Sequence, residues 1–204
     1  MKKALIAFAA SVAALGTMGV AHADTNVALG AAVLLNGSDF GQDPGWGNGV
    51  LAAASTVTDG NIFAIGDRWN LNTVYWHDAH GPEGGDNILI ALGHTSVINS
   101  IFLQADNNDQ YKIEYHGTDH LWHPLTTVAP TNPQNWGLGN ASYTLGSSVT
   151  ADGFRISGVN GDNLYSVSEF QANGTAAPVP EPESWGMLGL GLGVLGLLAR
   201  RRKQ

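Results

Sequence analysis

Glu169 is the acidic residue whose neighbours in the sequence point most directly to chemistry. It lies in a β-compatible segment, 164–171, where alternation would place its side chain on the same face as Tyr165 and Val167. A carboxylate on an apolar face is costly unless a cation or a metal ion neutralises it. We therefore expect Glu169 to bind a metal ion, to pair with an arginine, or to reach solvent past a β-bulge.

Four residues in the middle of the chain are of the types that bind zinc: His116, Asp119, His120 and His123. Zinc would need three or four of them to converge in tetrahedral geometry. Asp119 and His120 fall in the turn of a predicted hairpin, whereas His116 and His123 fall on its strands. We therefore interpret this set as cross-strand surface histidines.

Two other polar sets also have ordinary explanations. A glycine-rich loop contains His77, Asp78 and His80, which we interpret as loop residues rather than zinc ligands. The run Asp106-Asn107-Asn108-Asp109 resembles half of a calcium-binding loop, but the downstream bidentate glutamate of an EF-hand is missing. We therefore predict a turn there.

Several tryptophans have neighbours suited to sugar binding, in which an aromatic face stacks on the ring and polar groups meet the hydroxyls. The candidate ligand-binding residues are Arg68, Trp69, Trp76 and His77, and the loops also carry Trp46 and Trp136. The alternative is that these tryptophans pack the core or its loop caps, as large aromatic residues mostly do. We expect Trp122 in the core.

Composition argues against several classes of function. From Asp24 to Val179 there are fifteen acidic and three basic residues, a net charge near −12, which excludes nucleic acid as a partner because binding it requires a basic patch. No nucleophile motif and no phosphate-binding glycine motif is present, so we do not expect an enzyme. A carboxylate pair for glycoside cleavage stays open, because its separation is spatial. The chain has no cysteine, so disulfides cannot stabilise it.

The N-terminus resembles a secretory signal peptide. Lys2 and Lys3 precede an apolar segment, and Ala21-His22-Ala23 supplies a small-residue cleavage pattern. We therefore predict a mature N-terminus at Asp24 and an exported domain.

The C-terminal tail contains three parts in order. These are the motif Pro180-Glu181-Pro182, an apolar run at 185–199, and the basic cluster Arg200, Arg201, Arg202 and Lys203. As a helix, the apolar run reaches about 22 Å, against roughly 30 Å of bilayer hydrocarbon, so it is marginal as a permanent span. The basic cluster should stay in the cytoplasm by the positive-inside rule.

This order of parts resembles the PEP-CTERM sorting signal of Gram-negative bacteria that make extracellular polysaccharide. The resemblance implies that an exosortase-type membrane protease cuts near the motif and releases or re-anchors the domain. The precursor would be held in the inner membrane, and the product would reach the cell surface or the extracellular space. The alternative is an ordinary C-terminal anchor with a proline-rich stalk.

Short apolar segments separated by turn residues indicate an antiparallel β-sandwich. The clearest is the alternation of Tyr111, Ile113 and Tyr115, which predicts a hairpin returning at 121–127. Separate strands are predicted at, among others, 87–92, 97–105, 141–145, 153–158 and 164–171.

The order of these segments resembles discoidin domains, the coagulation-factor-five/eight type C or galactose-binding-like family. The matching pieces are Asn26–Gly30, Thr58–Asn61 before Trp69, Ile88–Gly93, Tyr111–Tyr115 before Trp122, Ala151–Ile156 and Tyr165–Phe170. In this family a structural calcium often lies where the early Asp-Gly-Asn turn meets a glutamate on the last strand. The resemblance therefore implies calcium at Asp59, Asn61 and Glu169, whose oxygen ligands suit that ion.

We therefore predict an all-β chain, an antiparallel jelly-roll sandwich flanked by a signal peptide and a short C-terminal transmembrane helix. Its parts are a signal peptide at 1–23, the sandwich at 24–174, a Pro-rich linker at 175–184, a transmembrane helix at 185–199 and a basic tail at 200–204. The expected function is non-catalytic binding of extracellular polysaccharide or another glycan, or adhesion. The alternatives are a purely structural surface protein and, third, a secreted hydrolase.

Overall fold

The computed structural model describes residues 24–78, 85–133 and 135–177. The predicted signal peptide, the transmembrane helix at 185–199 and the basic tail at 200–204 lie outside these residues, as does the end of the linker. Within the described part of the chain, no helix is both long enough and apolar enough to cross a bilayer.

The described residues form nine strands and one short 3-10 helix at Ala54–Thr58. The strands are β1 (Thr25–Asn26), β2 (Ala32–Asn36), β3 (Val50–Leu51), β4 (Leu71–His77), β5 (Asn87–Asp106), β6 (Gln110–Gly117), β7 (Trp122–Val128), β8 (Leu138–Asn160) and β9 (Leu164–Ala176). The predicted all-β class is confirmed.

Two long strands each contribute to both layers of the sandwich. The first part of β5, Ile88–Ala91, pairs with β2 and with the second part of β8, which continues to β6 and β7. The second part of β5, Ser96–Asp106, pairs with the first part of β8 and with β9, which continues to β4 and β3. Each of the two layers therefore contains one half of β5 and one half of β8.

The strands differ from the prediction at three places. The segments predicted as separate strands at 141–145 and 153–158 are one strand, β8. The segments predicted as separate strands at 87–92 and 97–105 are one bent strand, β5, whose register shifts between Ala91 and Ser96. The short β3 runs parallel to β4, whereas every other pairing among the described strands is antiparallel. The bend occurs where Gly93 interrupts the apolar pattern, and there the strand passes from one layer to the other.

The core fills the space between the layers and holds the fold without disulfides. At one end of the core lies an aromatic cluster. In it, Trp76 contacts Phe40, Tyr111 and Tyr165 at ring centroid distances of 5.4, 6.4 and 5.4 Å. Toward the other end Phe154 packs on Phe170 at 5.0 Å. Burial of each such aromatic side chain contributes roughly 1.5–3 kcal/mol.

The predicted hairpin of β6 and β7 is confirmed, with Tyr111 and Ile113 buried on its core face. On its other face Glu114, 7% exposed, accepts from Arg155 at 2.6 Å and Lys112 at 2.8 Å. Burial is the largest single cause and by itself would raise the pKa of Glu114, but the hydrogen bonds and charges of Lys112 and Arg155 together hold this pKa below its usual value. The hairpin is thus fixed to β8 through Arg155.

Candidate functional site

Glu169 is fully buried and connects the last strand to the Asp-Gly-Asn turn. Its Oε2 accepts the backbone N–H of Gly60 at 3.1 Å, and its Oε1 accepts from Gln171 at 3.2 Å. Within the turn, Asp59 Oδ1 accepts the N–H of Asn61 at 2.8 Å. The structure therefore brings together the turn and the glutamate named from the sequence.

The expected face of Glu169 is wrong, and a β-bulge explains the difference. Gln104 pairs with Glu169 and Ala105 with Val167, so Ser168 is the extra residue on β9. Val167 and Phe170 both lie in the core cluster, and Glu169 therefore points away from the core. The bulge foreseen as an alternative is present, but Glu169 does not reach solvent.

The loop from Asp59 to Phe63, which we call the covering loop, buries this outer face of the sheet. Gln104, which shares the face with Glu169, donates to the Phe63 carbonyl at 2.9 Å and accepts the Phe63 N–H at 2.8 Å. The segment that begins with the Asp-Gly-Asn turn is therefore held down at two points. Glu169 is buried under a loop rather than inside the sandwich.

The chemistry of this turn fits a divalent cation. Burial, more than the nearby Asp59 carboxylate, raises the pKa of Glu169 to about 7, while the hydrogen bonds from Gln171 and Gly60 oppose the rise. The only cationic side chains between Asp24 and Val179 are Arg68, Lys112 and Arg155, whose described polar contacts lie elsewhere. Asp59, Asn61 and Glu169 would supply the side-chain oxygen ligands of a calcium ion.

Two of the predicted sugar-stacking residues are buried, which corrects the expectation that they present free ring faces. Trp76 is 0% exposed in the aromatic core, and Trp69 is 3% exposed and packs edge-on against Tyr75. Both therefore follow the alternative that tryptophans pack the sandwich. The half-buried His77 lies at the end of β4, where its N–H donates to the Asp39 carbonyl.

Two other tryptophans remain exposed at the end of the sandwich where β9 begins. Trp46 is 49% and Trp136 is 56% exposed. The loop at 66–68 lies between their segments, because Arg68 donates to the Trp46 carbonyl at 2.8 Å and Leu138 donates to the Asp67 carbonyl at 2.8 Å. We call Trp46, Arg68 and Trp136 the loop-end surface.

The histidines of the hairpin separate into two groups. His123 bonds Asp119 at 2.9 Å and stacks on Tyr115. His116 instead bonds Asp152 of β8 at 2.6 Å, and its ring lies 6.0 Å from that of His120. Sequence reasoning missed Asp152, because no spacing along the chain indicates that strand pairing brings it to the hairpin. In the second predicted set, His80 lies outside the described residues and Asp78 is buried.

A groove of about 390 Å³ lies beside His116 and Asp152. Its other walls include Val33, Leu34 and Trp122. Trp122 is half-buried rather than in the core as expected, with the Arg155 guanidinium 4.8 Å from its ring centroid. The groove thus combines an apolar floor with one aromatic ring and a histidine–carboxylate pair.

The turn at 106–109 is a turn as predicted, but its acidic residues are buried. Asp106 is 4% and Asp109 is 1% exposed, and Asp109 Oδ2 has no hydrogen-bond partner among the described residues. Burial is the main cause that raises the pKa of Asp106 to about 7 and that of Asp109 to about 9, and mutual repulsion with Asp162 adds to both.

Comparisons with solved structures found similar domains. The serum f-lectin (fucolectin) of the striped bass Morone saxatilis overlays at a TM-score of 0.56 with 12% identity, over 78% of this chain and 52% of that chain. The family 32 carbohydrate-binding module of Clostridium perfringens NanJ, solved with galactose, gives 0.48 with 18% identity, over 74% and 98%. A chitosan-binding module from a Paenibacillus chitosanase/glucanase gives 0.47 with 21% identity, over 75% and 100%.

The described domain thus shares its β-sandwich fold with the striped bass f-lectin, and this is the fold that the galactose-binding-like resemblance implied. The family model of the PEP-CTERM protein-sorting motif matches residues 178–203, which follow this domain in the chain. Both resemblances inferred from the sequence are therefore confirmed, and the motif implies export through a membrane-anchored precursor. A search of curated proteins found no match.

Proposed function

We propose that this chain is an exported, non-catalytic carbohydrate-binding protein that acts at the cell surface or in the extracellular polymer. The observation that carries the proposal is the loop-end surface, where two half-exposed tryptophans lie on segments that are hydrogen-bonded to the loop carrying Arg68. An indole face packs on the apolar face of a sugar ring, and a guanidinium donates to ring hydroxyls. Arg68 is the member of the sequence-predicted set that keeps this role.

The fold and the tail also support the proposal. The striped bass protein is an f-lectin (fucolectin), and this domain shares its fold. An exported domain would meet the extracellular polysaccharide that the sorting-signal resemblance implies. The net charge near −12 favours a neutral or cationic glycan, because an anionic polymer would be repelled.

Glycan-array and polysaccharide pull-down experiments test this function. We expect wild-type protein to bind a glycan, and Trp46→Ala or Trp136→Ala to weaken binding by about tenfold, which corresponds to ~1.4 kcal/mol. Trp122→Ala is the matched control, because this tryptophan lies on β7 in the groove. Binding to no glycan or matrix polymer would remove the proposal in favour of a purely structural surface protein.

The groove is a second candidate for the sugar site. Its volume lies in the range of ligand pockets, and it is concave and largely apolar with few polar groups. If Trp122→Ala abolishes glycan binding while the Trp46 and Trp136 variants retain it, the groove is the site. Release of a sugar product during these assays would favour the hydrolase alternative.

We also propose that Asp59, Asn61 and Glu169 bind a structural calcium ion that fixes the covering loop to β9. Asp59 and Asn61 lie on the turn and Glu169 lies on β9, on the opposite side of this contact, and the buried Glu169 carboxylate has no described cationic partner. The ion would stabilise the domain rather than take part in ligand chemistry. Adhesion, if present, would follow from glycan binding at the loop-end surface.

A further inference from the structure

Three potential metal ligands meet where the β6–β7 hairpin lies against β8. One atom from each of His116, His120 and Asp152 lies within 4.8 Å of the other two. Zinc in a tetrahedral site binds nitrogen or oxygen at about 2.0–2.2 Å, which separates neighbouring ligands by about 3.3 Å. Small side-chain rotations therefore suffice to bring these three atoms into one coordination shell.

Strand pairing explains why Asp152 faces the histidines. His116 pairs with Gly153 and Gly117 with Ala151, so Asp152 is an extra residue on β8 without a partner on β6. A bulge of this kind redirects the side chain of the extra residue. Here the Asp152 carboxylate reaches the His116 ring at 2.6 Å.

The hairpin turn fixes the third ligand. His120 has a left-handed backbone conformation with φ of 62°, and its N–H donates to the Gly117 carbonyl at 3.0 Å. The His116 ring also packs 5.1 Å from Trp122, which restricts its orientation. The ligands thus come from two paired strands and one tight turn, so their backbone positions are already set before an ion binds.

The charges around the three residues are compatible with a cation. The nearest described cationic group, Arg155, is bound by Glu114 and lies over the Trp122 ring. His123 and Asp119 bind each other, so they neither join the three residues nor compete for them. The net charge of the exported part also attracts divalent cations.

We propose that His116, His120 and Asp152 form a binding site for a divalent transition-metal ion such as Zn²⁺. Two imidazoles and one carboxylate leave a fourth tetrahedral position for water or for a ligand atom. The site is separate from the loop-end surface and from the oxygen ligands at Glu169, and it does not depend on glycan binding. Because His116 and Asp152 also line the groove, the ion would lie at the groove wall.

Isothermal titration of the full-length chain in detergent micelles, prepared without a polyhistidine tag, tests the site with Zn²⁺ alone. We expect one Zn²⁺ per chain in the wild type. His120→Ala and Asp152→Asn should each weaken binding at least tenfold, since each removes one of three protein ligands. Bound Co²⁺ should show the visible absorption of a tetrahedral site in the wild type and not in His120→Ala.

His123→Ala is the matched control, because it removes a histidine of the same hairpin that is outside the three residues. Its Zn²⁺ affinity should stay within twofold of the wild type. Circular dichroism confirms that each variant is folded, and the exposed position of His120 makes unfolding of that variant an unexpected result. Absence of Zn²⁺ binding in the wild type, unchanged affinity in His120→Ala, or an equal loss in His123→Ala would each overturn the proposal.

Discussion

Glu169 shows how a single extra residue decides the environment of a carboxylate. Regular alternation would have placed it among Tyr165 and Val167, but the bulge at Ser168 turns it to the outer face, under the covering loop. There it bonds the Gly60 N–H instead of meeting apolar side chains. The discoidin resemblance implied that the turn and the glutamate meet, while the bulge depends on pairing with β5 and has no signal in β9 alone.

Removal of divalent cations should destabilise the wild-type protein at this contact. We expect EDTA to lower the melting temperature and calcium to restore it, because the ion neutralises a buried carboxylate. Glu169→Gln should be insensitive to both additions, since its amide no longer needs a counter-ion. Differential scanning calorimetry of the two proteins measures this effect.

His120→Ala is the control that separates this calcium effect from the hairpin metal site, and it should keep the full calcium response. If EDTA leaves the melting temperature of the wild type unchanged, the calcium proposal at Asp59, Asn61 and Glu169 is wrong. Glu169 would then be held by its hydrogen bonds to Gly60 and Gln171 alone.

The buried acids of the 106–109 turn predict an unusual pH dependence. Their folded pKa values, about 7 for Asp106 and about 9 for Asp109, lie above the unfolded value of roughly 3.9. The folded state therefore binds more protons between these limits, and its stability decreases as pH rises from about 4 to 9. Glu169, with its pKa raised to about 7, acts in the same direction.

Urea unfolding in EDTA at pH 5, 7 and 9 checks this dependence. Wild-type stability should decrease across the series, and Asp109→Asn should flatten the decrease because it removes the most strongly shifted group. Asp24→Asn, at an exposed position, should follow the wild type. Equal stability of the wild type at pH 5 and pH 9 would contradict the prediction.

Tryptophan and histidine roles show what sequence alone could not predict at this scale. The sequence indicates which residue types suit sugar binding, but the exposure of each indole depends on loop packing. Trp69 and Trp76, which the sequence predicts as ligand-binding residues, are buried, whereas the exposed indoles are those of Trp46 and Trp136. Asp152 had no signal beside the histidines, since it is distant in sequence and a bulge redirects it. Arg68 was predicted from its residue type alone, and it remains a candidate ligand-binding residue.

At the scale of elements, alternation predicted the existence of most strands and missed how some of them join. The hairpin of β6 and β7 follows directly from Tyr111 and Ile113. By contrast, the sequence predicts separate strands at 87–92 and 97–105, although the backbone continues through Gly93 in an extended conformation and bends into the second layer. A glycine marks a break in the side-chain pattern, and only the pairing partners decide whether the strand ends there.

One glycine on β8 is required by packing against β9. A Cβ at Gly158 would lie 2.5 Å from ring atoms of Tyr165, which is fully buried. We therefore expect Gly158→Ala to destabilise the protein by roughly 1–3 kcal/mol, the usual cost of overpacking. Gly146→Ala on the same strand is the matched control, because nothing lies within 4 Å of its Cβ.

Urea unfolding of the two variants at pH 7 measures the difference. Gly146→Ala should be neutral or slightly more stable than the wild type, since alanine restricts the unfolded chain. If both substitutions have the same effect, close packing between β8 and Tyr165 does not limit this position.

At the scale of the whole molecule, the two ends of the chain determine where the sandwich functions. We predict that mass spectrometry of mature protein from exosortase-containing cells will show Asp24 as the first residue and loss of Arg200–Arg202. Ala21-His22-Ala23 supplies the cleavage pattern before Asp24, and the Pro180-Glu181-Pro182 motif precedes a span that is marginal as a permanent anchor.

Cells that lack the exosortase are the control, and their protein should keep the arginine cluster. An intact C-terminus in processing-competent cells would contradict cleavage and favour an ordinary anchor. The order of motif, apolar run and arginines made this prediction possible from sequence, because none of it depends on tertiary structure.

The direction of β9 has a mechanical consequence for a protein tethered at one end and attached at the other. β9 begins at Leu164, which packs with Trp69 next to Arg68 of the loop-end surface, and runs 13 residues, about 40 Å. It ends at Ala176, so the strand takes up the first two residues of the linker predicted at 175–184. Tension between a bound polymer and the tail would therefore act along β9, parallel to its axis. The force would then shear all hydrogen bonds between β9 and β5 at the same time and would not open them one after another. The domain would therefore resist the force until all of these hydrogen bonds break together.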